Sequence, residues 1–218
     1  MTRFFLFLFS QSIWFPILVG VVRIKTTKAG FMPFYLTLWI GLAAEIASWI
    51  LIRGYHHSNA IPSNIFELTE WLLLAWQFRI WGLLERKPRL FYLLLGLPVL
   101  LWITENLLLG KIVVFSPYFR VIHAFLLTLM SISVINYKIT HENKSLFRNP
   151  VFIICLGFII YFVYEMLYEW SYQVSILGKS SGVSQTISSI FAYINLLTNI
   201  IFGLALLVSP RHKEYKFE

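Results

Sequence analysis

The chain's 218 residues predict an all-α membrane protein of seven transmembrane helices, and three observations carry that expectation. Apolar runs of about 20 residues recur from one end to the other, each long enough as a helix to cross the hydrocarbon of a bilayer. Composition agrees: 58% of residues are hydrophobic, 13% are charged, and the mean hydropathy is +0.73. Lysine and arginine collect in alternate short connections, the pattern of a chain that crosses a membrane repeatedly. No stretch shows the ten-residue apolar/polar alternation of a membrane β-barrel. The expected domain is a single one, residues 1–218.

Phe4–Val22 is the first expected span; it lacks a small-x-small cleavage site and runs into Arg23, Lys25 and Lys28, so it reads as a helix rather than a removed leader. Phe31–Ile52 follows, opened by Pro33, a residue suited to a helix's first turn. Ile61–Leu84 is the third and carries the most internal charge. The turn Arg86-Lys87-Pro88-Arg89 separates it from Leu90–Leu109. Pro117–Tyr137 is the fifth, and Asn149-Pro150 announces the sixth, Val151–Tyr172. Ser184–Val208 closes the series. Cys155, the sole cysteine, lies inside an apolar run, which excludes an intrachain disulfide.

Orientation follows from the basic residues. Thirteen of the 18 lysines and arginines fall on one set of ends: Arg23, Lys25, Lys28, Arg79, Arg86, Lys87, Arg89, Lys138, Lys144, Arg148, Arg211, Lys213 and Lys216. Arg3, Arg53, Lys111, Arg120 and Lys179 fall on the other. The positive-inside bias places the N-terminus outside and the C-terminus in the cytoplasm. It also accounts for the net charge of +8 without any nucleic-acid partner. Asn64-Ile65-Phe66 and Ser189-Ile190-Phe191 open the third and seventh spans alike, and Glu45 and Glu165 occupy similar places in the second and sixth. A 3+1+3 repeat is therefore expected, with the fourth span as connector.

This topology puts Glu45, Glu67, Glu70, Glu105, Glu165 and Glu169 in the half of the membrane away from the cytoplasm. A carboxylate inside a span costs roughly 2.5 to 3.5 kcal/mol on insertion scales, so such groups face a bundle interior or a wet cavity. Glu67 and Glu70 are three apart and Glu165 and Glu169 four apart, each couple on one helix face. Arg120 and His123 begin the fifth span on the same side. Ser184, Ser188, Asn195 and Asn199 form a polar stripe on the seventh. The expected site is an outward-facing acidic cavity lined by Trp49, Trp71, Tyr164, Tyr168 and Trp170, with Glu45, Glu67, Glu70, Glu105, His123, Glu165, Asn195 and Asn199 as ligand- or proton-binding residues. Clustered carboxylates repel, so some must be protonated, paired with Arg120, or neutralised by a bound cation. The plainer readings are headgroup solvation for Glu67, Glu105 and Glu169, and interhelical hydrogen bonds for the Asn and Ser stripe.

Reaction motifs are scarce: there is no HExxH, GxSxG or GxxxxGK[ST], and His123 is the only histidine within a span. No cofactor, no catalytic residue and no metal site is expected, and a Schiff base is excluded by the lack of lysine in the seventh span. The acidic third helix (Asn64-Ile65-Phe66-Glu67 to Glu70-Trp71), the Asn149-Pro150-Val151-Phe152 start of the sixth and the polar seventh (Asn195 to Asn199) resemble small seven-span proteins of Bacteroidota. That resemblance implies a fold and a bacterial inner membrane, not an activity; the outline also looks like the transporter/opsin/receptor class of seven-span folds. Three functions remain open: a transporter-like binder of a small polar or cationic solute, a sensor or accessory subunit acting through a membrane partner or homo-oligomer, and a lipid-acting enzyme using clustered carboxylates.

Overall fold

A computed structural model describes residues 11–23, 29–85, 87–110, 112–141, 146–176 and 181–208. Among the described residues the chain is all-helical. Its α-helices are α1 (Trp14–Arg23), α2 (Met32–Gly54), α3 (Ala60–Ile80), α4 (Pro88–Ile103), α5 (Pro117–His141), α6 (Pro150–Ile176) and α7 (Ser181–Val208). Five segments are long and apolar enough to cross a membrane: Met32–Gly54, Pro88–Leu108, Pro117–His141, Pro150–Gln173 and Ser189–Val208. The protein is thus a multi-pass membrane protein by the length and character of its helices. Its exterior agrees. Leu93, Leu97 and Leu100 on α4, Leu167 on α6 and Leu204 on α7 all point outward, where a soluble protein would not leave such apolar surface.

Two helices fall outside those five, for different reasons. Only Gln11–Arg23 of the first apolar segment is described, so its expected start at Phe4 lies outside the described residues. α3 interrupts its apolar run with Glu67, Glu70 and Arg79.

Helix ends depart from the expected spans where local chemistry dictates. α3 stops at Ile80 rather than Leu84 because Gly82 adopts φ +87°. The Gly82 amide then donates to Arg79 O at 3.0 Å, and the Leu83 amide to Phe78 O at 3.0 Å. This is the paired closure that a left-handed residue just past a helix permits. α4 ends in a π-helical turn, Thr104–Leu108, in which the Leu109 amide reaches Thr104 O at 2.9 Å. α6 begins as its sequence suggests: Asn149 Oδ1 accepts from the Val151 amide at 2.9 Å, and Pro150 takes the first helical position.

The chain divides into two compact units, one formed by Met1–Ala29 with Ala124–Glu218 and the other by Gly30–His123. In the Gly30–His123 unit α2 packs along α3, burying Phe34, Leu38 and Leu42 of one helix and Trp71, Leu74 and Phe78 of the other. Gln77 adds a polar tie, accepting from the Phe34 amide at 3.0 Å and donating to Gly30 O at 2.6 Å. In the other unit α7 packs on both α6 and α1. Glycine makes the α6–α7 approach possible, since a Cβ on Gly157 would lie 2.6 Å from the Phe202 ring. The boundary between the units cuts across the two sequence triplets, because α2 and α3 fall in one unit while α1 falls in the other.

Candidate functional site

Asn64, Glu67, Glu70, Trp71, Leu74 and Gln77 recur at three- and four-residue steps, which lays one buried stripe along α3. The amphipathic pattern is reversed from that of a soluble helix: polar groups point in and Ile65, Leu72 and Trp76 point out. Such a helix is stable only if its neighbours supply partners for the inward groups.

Partners come from the first turns of α5. Arg120 Nη2 contacts Glu67 Oε1 at 2.5 Å, and His123 Nε2 lies 3.3 Å from Glu70 Oε2. Both couples are three residues apart on their own helices, so they form two successive rungs. Rungs that advance together, 67 with 120 and 70 with 123, require α3 and α5 to run in the same direction here. Arg120 also sits over the Phe115 ring, 4.6 Å from its centroid. That contact satisfies a guanidinium where water is scarce. His123, fully buried, is stacked on Phe119 (5.5 Å, 13° between planes) and meets the edge of Trp71 (6.3 Å, 80°).

A layer of fixed polar groups frames these rungs. Asn64 Nδ2 donates to Ile112 O at 3.0 Å and Val114 O at 2.8 Å, pinning the connection that leads into α5. Trp102 Nε1 donates to the Asn64 carbonyl at 2.9 Å. In the π-helical turn, Glu105 accepts from the Phe119 amide at 3.0 Å and, more distantly, from Tyr118 at 3.5 Å. Ser116 precedes α5 but turns its hydroxyl to Asn106 Oδ1 at 2.7 Å. Glu105 therefore caps α5 instead, and its negative charge suits the positive end of the helix.

The expected site residues fall in both compact units. Glu67, Glu70, Glu105 and His123 come together within the Gly30–His123 unit. Glu45 is on α2 of that unit and half-buried. Glu165, Asn195 and Asn199 belong to the other unit. There, Asn199 Nδ2 donates to Ser12 Oγ at 2.8 Å and Asn195 Oδ1 at 3.2 Å, tying α7 to the segment before α1. These hydrogen bonds join helices, as an interhelical role for the Asn stripe requires, while the Ser184 and Ser188 side chains lie outside the described residues. Glu67, Glu105 and Glu169 are buried, at 6%, 3% and 2% exposure, not turned out to headgroups.

The five expected lining aromatics occupy different settings. Trp49 and Trp170 are exposed at 52% and 70% and lie on the outer surface. Tyr164 and Tyr168 stack on Phe191 of α7, at 6.0 and 5.0 Å. Trp71 meets His123 of the acid–base cluster within the Gly30–His123 unit. Asn106, Ser116 and Trp102 went unread in the sequence. Their signal was a Trp-x-x-Glu-Asn run broken by a π-turn, which periodicity does not reveal.

Among the described residues no group of three His, Cys, Asp or Glu side chains is placed to hold a metal ion. No protein-family model, curated protein or solved structure matches the chain.

Proposed function

We propose that the protein is a seven-span, transporter-like binder of a small polar or cationic solute, with its N-terminus outside, its C-terminus cytoplasmic, and a bacterial inner membrane as its setting. The observation that carries this reading is the double rung of Glu67–Arg120 and Glu70–His123 on a helix that this proposal counts as a span. Parallel α3 and α5 separated by one returning helix are what successive crossings produce, which supports counting α3 among the spans. α1, of which part is described, makes seven. The repeat reading joins α1–α3 and α5–α7 about α4.

Charge supports the ligand class. Among the described residues of the Gly30–His123 unit, three carboxylates, Glu67, Glu70 and Glu105, stand with one permanent cation, Arg120, and one histidine whose charge is variable. The cluster therefore has negative charge to offer a cation. Asn64 Oδ1, buried and accepting no hydrogen bond among the described residues, offers an acceptor to a polar solute. A purely structural network would have little reason to carry more acids than bases within a bilayer, given what each charge costs there.

The test is uptake by proteoliposomes of a radiolabelled panel of choline, polyamines and amino acids. Accumulation of at least one compound is expected, and its loss in Glu70→Gln. Binding without accumulation would transfer the site to a sensor or accessory subunit, which needs a partner to report occupancy. Neither binding nor uptake of any panel member would remove the transporter reading.

A further inference from the structure

We propose that Glu70 and His123 together form a proton-binding site that takes up and gives back one proton per chain, while Glu67 and Arg120 beside them remain charged throughout. The inference rests on the transporter reading for its use but not for its test.

The two rungs look alike and differ in one chemical respect. A guanidinium does not lose its proton in a protein. Glu67–Arg120 is then a pair of fixed opposite charges, neutral as a whole, and has no proton to exchange. An imidazole is either neutral or cationic near neutral pH. Glu70–His123 therefore alternates between a net charge of minus one and zero as the His123 ring gains or loses a proton. No covalent bond other than an N–H changes.

Position fits this task. His123 is fully buried, and its ring plane is fixed by the stack on Phe119 and the edge of Trp71, so that Nε2 stays 3.3 Å from Glu70 Oε2. The charged groups that bear on the pair within the unit can be named element by element. α3 presents Glu67, and Arg79 two and a half turns further along. α5 presents Arg120, one turn away, already engaged by Glu67. The π-helical turn presents Glu105, held by the α5 amides. α2 presents half-buried Glu45 and exposed Arg53, and α4 only exposed Arg89. None of these places a second permanent cation against Glu70. Among the described residues of this unit, the pair reaches neutrality by a proton, or by a singly charged cationic solute that takes the proton's place. Exchange of one for the other is the coupling this geometry permits.

The test uses the full chain in lipid nanodiscs with ¹⁵N-labelled histidine. Spectra are followed across about pH 5 to 9, the window in which imidazole changes charge. His123→Gln identifies the resonance. The expected result is a single protonation step at His123 in the wild type, coupled to the carboxyl signal of ¹³C-labelled Glu70, and a loss of that coupling in Glu70→Gln. A wild-type His123 that keeps one charge state across the whole window overturns the proposal without recourse to any variant. A normal titration in a protein that moves no solute would overturn the transport reading alone.

Discussion

The most consequential contact is between a single arginine and a single glutamate. Arg120 and Glu67 are each less than a tenth exposed and 2.5 Å apart. Removing one partner of a buried pair strands the other charge, a loss of roughly 3–5 kcal/mol in soluble proteins, whereas replacing both with apolar groups is often close to neutral. Arg120→Met is therefore expected to lower the thermal midpoint in detergent sharply, and Arg120→Met with Glu67→Leu to recover most of the loss. A single variant as stable as the wild type would show that the pair is solvated rather than buried. Arg120 was legible in advance as a counter-charge, since the sequence places it among acids at the same depth. Which acid it would take was not, because Glu67, Glu70 and Glu105 are equivalent until α3 and α5 are set in register.

For the helices, the informative case is α5, whose N-terminus is capped from another element. Loss of a capping acceptor typically costs about 0.5–2 kcal/mol. Glu105→Ala is expected to destabilise the chain by that order and to speed amide exchange at Tyr118 and Phe119, the two amides it accepts from. Unchanged exchange there would mean that water or another group does the capping. A chain-local reading assigns the cap to Ser116, directly ahead of Pro117. The π-helical turn overrides it by bringing Glu105 to α5 and drawing the Ser116 hydroxyl to Asn106. Likewise α3 ends where Gly82 turns left-handed, whereas hydropathy alone carried the span on through Leu83 and Leu84. Hydropathy measures the cost of transfer from water and is blind to φ.

At the scale of the molecule, topology is the property most open to direct measurement. The only native cysteine, Cys155, is buried, so an introduced thiol reports with little background. His57→Cys, between α2 and α3, is expected to react with a membrane-impermeant maleimide in intact cells. Lys87→Cys, between α3 and α4, is expected to react only after permeabilisation. The reverse pattern would invert the orientation and place the acid–base rungs toward the cytoplasm. The measurement also settles whether α3 crosses the bilayer, because the two labelled sites lie at its opposite ends.

Composition and periodicity by themselves determined that this is a helical, multi-pass membrane protein, and they determined which side chains had to find partners. Both follow from the free energy of putting one residue or one helix into hydrocarbon, a property each segment carries alone. The tertiary structure decided the partnerships: Glu67 with Arg120, Glu70 with His123, Glu105 with the α5 amides, Asn199 with Ser12. It also turned Trp49 and Trp170 outward and kept Trp71 within. Those outcomes depend on helix register, on one π-turn and on one left-handed glycine. Each of these acts through distances between segments, which no property of a single segment contains.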